Sequence, residues 1–312
     1  MQKRKLGTSG LDVSVVGLGC NNFGMIPKDA AQAVIDRAIE KGITLFDTAD
    51  IYGNRGGSET ALGEILGARR KQIVLATKFG MKMDDDGAKS GASRRYIPQA
   101  VDASLKRLKT DWIDLYQLHT PDPKTPIDET LRALEDLVTS GKVRFIGCSN
   151  MPAWQIVDSL WIAETQSFSK WVTAQDEYSL VVRGAERDLI PALHAKQMSL
   201  LPYFPLASGL LTGKYKAGEK APSGTRLSQM TYLANRYMTE KNFEIVGRLK
   251  DFAEKRNHTL LELAFSYLLS EQTVASVIAG ATKPEQIDAN VVAANWQLTP
   301  EDIAEVKNIT EK

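Results

Sequence analysis

Short runs rich in β-branched and aliphatic residues recur at 15–19, 43–47, 73–78, 113–119, 143–148, 172–175, 200–204 and 274–279, with stretches of helical pattern between them. A strand that must lie parallel to its predecessor needs a crossover, and a helix is the usual one. Eight strand–helix units in succession predict an α/β chain whose sheet closes into a (β/α)8 TIM barrel. The helical stretches carry their own signals. Residues 29–41 carry apolar residues at Ala30, Ala33, Val34, Ala38 and Ile39 and stop at Gly42, as a helix with a glycine C-cap would. Residues 97–108 carry Pro98 in the first turn, where the missing N–H costs nothing. Residues 58–66 start on Ser58, read here as an N-cap, and 126–139, 152–164, 183–196 and 284–294 follow the same logic. Alternating apolar residues around Thr8-Ser9-Gly10 predict an N-terminal β-hairpin, and Thr299-Pro300-Glu301 opens an extra C-terminal helix. An open doubly wound sheet is the competing architecture, but VGLGCNNFG after the first strand lacks the GxGxxG spacing.

The chain of 312 residues fits one barrel, so residues 1–312 are expected to form a single domain. A net charge of +1 gives no sign of a nucleic-acid or membrane partner. Cys20 and Cys148 make no disulfide framework, MQKRKLGTSG opens no signal peptide, and no apolar run reaches the roughly 18 residues a bilayer needs. These features predict a cytoplasmic protein with a small-molecule substrate and no metal. They do not indicate an oligomeric state. Residues 81–96 and 207–239 break the strand–helix rhythm and are expected to be long loops on the C-terminal face.

Five of the apolar runs end on polar side chains: Asp47, Lys78, His119, Ser149-Asn150 and Gln175. Barrel enzymes assemble their sites from such strand ends, so residues far apart in sequence would meet at one mouth. Each has a plainer reading. Ser149-Asn150 before Pro152 suits a helix cap, Asp47 a local turn, Lys78 a solvated surface, and His119 a hydrogen-bonded structural position. The five together favour a site.

At FDTADIYG, with Asp47 and Tyr52, the sequence resembles the aldo-keto reductase family. The likeness continues through ATKFG, LYQLH, IGCSN, QDEYS, PYFPLASGLLTGKY and GATKPEQIDAN in the family's order, over nearly the whole chain. The GLLTGKY segment looks most like the branch containing bacterial reductases and potassium-channel β subunits. This resemblance implies an NADPH-dependent oxidoreductase, with NADH as a possible substitute, that reduces aldehydes or ketones to alcohols. It assigns Asp47, Tyr52, Lys78 and His119 to a catalytic tetrad, with Phe23, Tyr52 and His119 facing the substrate. Gly19, Cys20 and Asp47 would lie against the cofactor. Ser149, Asn150 and Gln175 would hold the nicotinamide carboxamide, and Tyr203 would stack on its ring. Phe204, Pro205, Leu206, Ala207, Gly209 and Lys214 would surround the pyrophosphate, with Arg226 on the phosphates. Gly280, Thr282, Lys283, Gln286 and Asn290 would take the adenosine end. Many family members carry lysine where this chain has Gly280 and arginine where it has Gln286, which leaves a 2′-phosphate to Arg226 and Lys283.

The chemistry explains the residue types. A phenol has a reference pKa of about 10, and a neighbouring ammonium favours its anion and makes it a better proton donor. Asp47 would hold the Lys78 ammonium, and a neutral His119 would orient the carbonyl oxygen. Two other functions fit the same barrel. Lys78 would form a Schiff base in an aldolase, leaving Asp47 and Tyr52 without a task. A nucleotide-sensing regulatory protein would keep the tetrad without needing turnover.

Overall fold

The computed structural model describes residues 1–311. The chain opens with the antiparallel hairpin β1 (Lys3–Lys5) and β2 (Asp12–Ser14). Eight parallel strands follow: β3 (Val16–Gly19), β4 (Leu45–Asp47), β5 (Val74–Phe79), β6 (Ile113–Leu118), β7 (Val143–Ser149), β8 (Trp171–Gln175), β9 (Ser199–Leu200) and β10 (Val277–Gly280). They run in sequence order around the sheet, with β10 beside β3. The seam between β9 and β10 is closed by backbone bonds: Leu200 N–H to Thr273 O at 2.8 Å, Ala275 N–H to Leu200 O at 3.1 Å, and Ile278 N–H to Pro202 O at 3.4 Å. The fold is the (β/α)8 barrel expected.

The helices around it are α1 (Lys28–Glu40), α2 (Tyr52–Leu66), α3 (Ile97–Leu108), α4 (Ile127–Thr139), α5 (Ala153–Gln166), α6 (Leu189–Ala195), α7 (Arg226–Gln229), α8 (Thr231–Tyr237), α9 (Glu240–Glu254), α10 (Leu260–Ser270), α11 (Pro284–Ala293) and α12 (Pro300–Glu311). Outward strand residues such as Phe46, Tyr116 and Trp171 pack under them in one continuous core. A second cluster fills the barrel, with Leu45, Ala76, Leu115, Val172, Leu201, Ala275 and Ile278 joined by Leu6 and Val13 of the hairpin. The hairpin is therefore the plug at the N-terminal end. Its fit depends on Gly7, whose φ is +56°, and where an added Cβ would lie 2.1 Å from Val172 O. Arg4 ties it down by donating to Leu269 O at 2.6 Å and Val274 O at 2.6 Å.

Side chains alternate across a strand. The parity that puts Leu45, Ala76 and Leu115 inside the barrel also puts Asp47, Lys78, Gln117 and then His119 inside it, nearer the C-terminal end. Packing below thus fixes which groups converge above.

Several boundaries differ from the sequence reading. Ser58 is no cap: its hydroxyl is buried, donates to Cys20 O at 2.7 Å and meets Thr48 Oγ1 at 2.7 Å. α2 starts earlier, at Tyr52, and passes through left-handed residues from Gly53 to Gly56 before becoming regular. The run at 200–204 is regular strand only at Ser199–Leu200. Pro202 has no N–H to donate, and pairing resumes at Tyr203, which donates to Asp176 O at 3.0 Å. The pattern at 183–196 splits into a 3-10 turn (Gly184–Glu186) and α6, which keeps Pro191 within a first helical turn. Residues 207–239 are not an open loop. They hold a 3-10 turn (Ala207–Thr212), α7 and α8, and bury Leu227, Leu233 and Tyr237.

Candidate active site

The turn between β4 and α2 carries Asp47 and Tyr52, and it is stitched to the neighbouring strand. Thr48 N–H donates to Ala76 O at 2.9 Å and Asp50 N–H to Lys78 O at 3.1 Å, while Tyr52 N–H closes back on Ala49 O at 3.2 Å. The left-handed residues that follow turn the chain away and leave Tyr52 at the barrel mouth. His119 is anchored by its own N–H to Phe79 O at 2.9 Å.

The side chains meet as the strand parity requires. Lys78 Nζ donates to Asp47 Oδ2 at 2.6 Å and to Thr48 O at 2.9 Å. Asp47 Oδ1 accepts from Gln175 Nε2 at 2.9 Å and Gln117 Nε2 at 3.1 Å. Lys78 Nζ lies 5.0 Å from the centroid of the Tyr52 ring, and the Tyr52 and His119 rings meet edge to face with centroids 5.7 Å apart. Lys78 has no exposed surface. Burial alone would depress its pKa, but the facing Asp47 carboxylate and Tyr52 phenol outweigh it and raise the pKa above the usual lysine value. The His119 ring is pushed down to about 3, by burial first and then by the Lys78 charge. It is a neutral imidazole at physiological pH, and its Nδ1 has no hydrogen-bond partner among the described residues.

Beside this cluster lies a connected polar group. Ser149 Oγ donates to Gln175 O at 2.7 Å, Asn150 Nδ2 to His119 O at 3.0 Å, and Tyr203 OH to Asn150 Oδ1 at 2.7 Å. Neither Ser149 nor Asn150 caps α5, whose N-cap is Pro152 and makes no side-chain cap bond. Asn150 holds φ at +55°, a conformation asparagine tolerates better than most residues.

The segment after β9 wraps the mouth. Phe204, Ala207 and Ser208 all have positive φ, at 50°, 46° and 56°. Left-handed backbone costs a non-glycine residue roughly 1–2 kcal/mol, and such outliers cluster at ligand clamps. Ser208 Oγ is buried without a partner among the described residues. At Gly209 (φ +96°) an added Cβ would lie 2.9 Å from Lys214 Nζ, so the lysine crosses close over the turn. The Arg226 guanidinium lies 4.9 Å from the Phe204 ring centroid, and burial lowers its pKa. It forms no ion pair with a carboxylate among the described residues. With the Asn21 amide oriented to satisfy both groups, its oxygen accepts from Arg226 Nη2 at 3.2 Å. The far end of the segment is held by Glu177, which accepts from Tyr237 OH and Arg236.

At the end of β10, an added Cβ on Gly280 would lie 3.2 Å from the other terminal atom of the Asn21 amide, which places Gly280 beside the Asn21–Arg226 contact. Thr282, Lys283 and Gln286 start α11, where Gln286 Oε1 accepts from Thr282 N–H at 2.7 Å and Lys283 N–H at 3.2 Å. These backbone donors at the start of α11 are thus held by this chain's own side chain. Asn290, farther along the same helix, is buried. Gly19 pairs with Asp47 in the sheet, and Cys20 N–H donates to Asp47 O at 2.8 Å with its thiol fully buried.

Phe23 has no exposed surface and belongs to the barrel–helix core. The chain turns at the next residue, Gly24 (φ +81°), packed against the Gly57 backbone. Met25 on the same loop is 66% exposed. Three contributors went unread in the sequence: Gln117, Asn21 and Glu177. Gln117 had a signal, since it interrupts an apolar strand at an inward position.

The model of the Aldo/keto reductase family matches residues 15–311. The chain belongs to this family. An uncharacterized oxidoreductase of Bacillus subtilis, YqkF, is 39% identical over all of this chain and 97% of its own length. A probable voltage-gated potassium channel subunit beta of Arabidopsis thaliana is 35% identical over 95% of this chain and 92% of its own. The solved structure of the aldo-keto reductase AKR11C1 from Bacillus halodurans, in its holo form, superposes with a TM-score of 0.82. It is 34% identical, covering 99% of this chain and 96% of that one. This family of oxidoreductases uses nicotinamide cofactors. No helix among the described residues is long and apolar enough to cross a membrane.

Proposed function

We propose that this chain reduces aldehydes and ketones to alcohols with hydride from NADPH, and that Tyr52 supplies the proton. The observation that carries the reading is the buried Asp47–Lys78 pair placed under the Tyr52 ring, with a neutral His119 facing it across the mouth. The bound nicotinamide would supply the hydride, and the protein supplies position, proton and a dry site.

Lys78 keeps its charge because Asp47 faces it, and that charge stabilises a developing tyrosinate. Asp47 is in turn held by Gln117 and Gln175, so the ammonium has one defined place. His119 stays neutral through the physiological range and orients a carbonyl oxygen as a hydrogen-bond donor. The residues present also suit a dinucleotide. Ser149, Asn150 and Gln175 offer the donors and acceptors a carboxamide needs. The unpartnered Ser208 hydroxyl, Lys214 and the carboxylate-free Arg226 line the wrapping segment as an anion would require. A Schiff-base role for Lys78 needs a neutral amine, and its raised pKa opposes one.

The test is Tyr52→Phe. Turnover of an aldehyde should fall by roughly 10²–10⁴, the range for a lost general acid, while cofactor affinity stays within a few-fold. Near-normal turnover, with the chemical step shown to be rate-limiting, would remove Tyr52 as proton donor. Absence of turnover by the wild type with a broad aldehyde panel, despite tight cofactor binding, would favour a nucleotide-sensing role.

A further inference from the structure

Trp154 and Trp161 on α5 are 66% and 67% exposed, and Val157 between them is 37% exposed. Positions 154, 157 and 161 are spaced i, i+3, i+7, so the three side chains form one apolar stripe on the outer wall of the barrel. The stripe borders a groove against α6 that is lined further by Ala192, Asp158 and Lys196. Soluble monomers rarely leave a contiguous apolar patch of more than a few hundred Å² in water. Two indoles at this exposure offer roughly 200–300 Å² per copy.

The rim decides what fits. Glu164, farther along α5, pairs with Lys170. Asp158 and Lys196 make no ion pair among the described residues, and they give the patch one charge of each sign. A lipid surface would be met by a basic rim, and this rim is neutral overall. An interface about a two-fold axis uses the same patch twice, so a patch with one acid and one base beside an apolar stripe is complementary to itself.

We propose that the α5–α6 face is the interface of a homodimer. The indoles of the two copies pack at the centre, and Asp158 of each copy faces the partner's Lys196. A standard interface buries about 800 Å² per partner around an aromatic-rich centre with a polar rim. The stripe provides that centre and the α6 edge part of the rim. No tetrad residue lies in it, so both mouths stay open in the dimer.

Sedimentation velocity over a wide concentration range is the test. The wild type should sediment as a dimer. Trp154→Ser with Trp161→Ser should raise the dimer Kd by about a hundredfold or more, with unchanged far-ultraviolet circular dichroism and aldehyde turnover. Asp158→Lys sets like charges against each other and should weaken the dimer. Adding Lys196→Asp should restore it to within a few-fold of wild type, which loss of folding cannot mimic. A wild type that is monomeric at every soluble concentration would overturn the proposal. So would a dimer that survives the double tryptophan change, or a charge reversal that its partner change does not rescue. A monomeric wild type that binds phosphatidylcholine vesicles through these tryptophans would also overturn it and assign the face to a membrane surface.

Discussion

Asp50 precedes Tyr52 by two residues and is 1% exposed, and neither of its carboxylate oxygens has a hydrogen-bond partner among the described residues. The groups facing it come from four directions. Glu59 on α2 is held by Arg107 Nε of α3 at 2.7 Å and by Thr77 Oγ1 at 2.6 Å. Lys78 on β5 lies beyond, and the Tyr96 and Tyr116 phenols are close enough that Asp50 helps raise their pKa values. Burial pushes the Asp50 carboxyl up to about 8, and Glu59 adds to this. Arg107, the Ile51 N–H and Lys78 oppose it without prevailing. An unfolded chain releases this proton near 3.8, whereas the folded protein keeps it until about pH 8. Folded protein therefore binds the extra proton between those values, and stability falls as pH rises through the window. The slope is about 1.4 kcal/mol per pH unit, or about 4 kcal/mol between about pH 5 and about pH 8. That is a large share of the 5–15 kcal/mol typical of a folded protein. Asparagine has the shape of the neutral acid and cannot ionise. Asp50→Asn should therefore gain on the wild type steadily as pH rises, and the gain should level off above about pH 8. Urea midpoints for both proteins across that range give the difference directly, because all other titrations are shared. A difference that does not change with pH would mean that Asp50 is already ionised in the folded protein, compensated by Arg107 and Lys78, and the reasoning would fail.

Two further outcomes concern the wrapping segment. Arg226→Ala should weaken NADPH binding by about ten- to a hundredfold, the worth of one charge-assisted contact, and leave NADH nearly unchanged, as read by fluorescence titration of both. Equal losses would give Arg226 to the pyrophosphate, and tighter NADH binding by the wild type would sink the NADPH preference. Amide exchange across 209–226 should slow on adding cofactor by more than exchange in α3 or α4. Unchanged protection there at saturation would remove the clamp.

What the sequence made legible follows a periodicity. Asp47, Lys78 and His119 could be placed together because each ends a strand whose earlier inward residue is aliphatic. The pleat then carries them to one end of the barrel. The same rule applied strictly would also have found Gln117. Loops have no such period. Phe23 was expected at the substrate and lies in the core, because the turn at Gly24 depends on close approach to Gly57, which no local pattern announces. Arg226 and Asn21 meet across some two hundred residues of chain, and only the closed barrel brings the ends of β3 and β9 near each other. Ser58 shows a third kind of failure. A serine before an apolar run looks like a cap, but the left-handed residues from Gly53 to Gly56 displaced the helix start and freed its hydroxyl to brace Cys20 and Thr48.

Gln175 connects the two halves of the proposed site. The resemblance gives it to the carboxamide, yet its Nε2 donates to Asp47 Oδ1 at 2.9 Å, and its backbone oxygen accepts from Ser149 Oγ at 2.7 Å. Its Oε1 and the second N–H of Nε2 remain for a carboxamide. Ser149 and Asn150, the other groups offered to that amide, are engaged with each other and with their neighbours. A nicotinamide held by Gln175 would join a network that ends on Asp47, the group that fixes the Lys78 ammonium. In the proposed function, a side chain that serves the cofactor and the acid–base pair at once would tie the position of the hydride source to the charge beside Tyr52. Buried polar networks of this kind cost most when half satisfied, so the two functions should be lost together when Gln175 is disturbed.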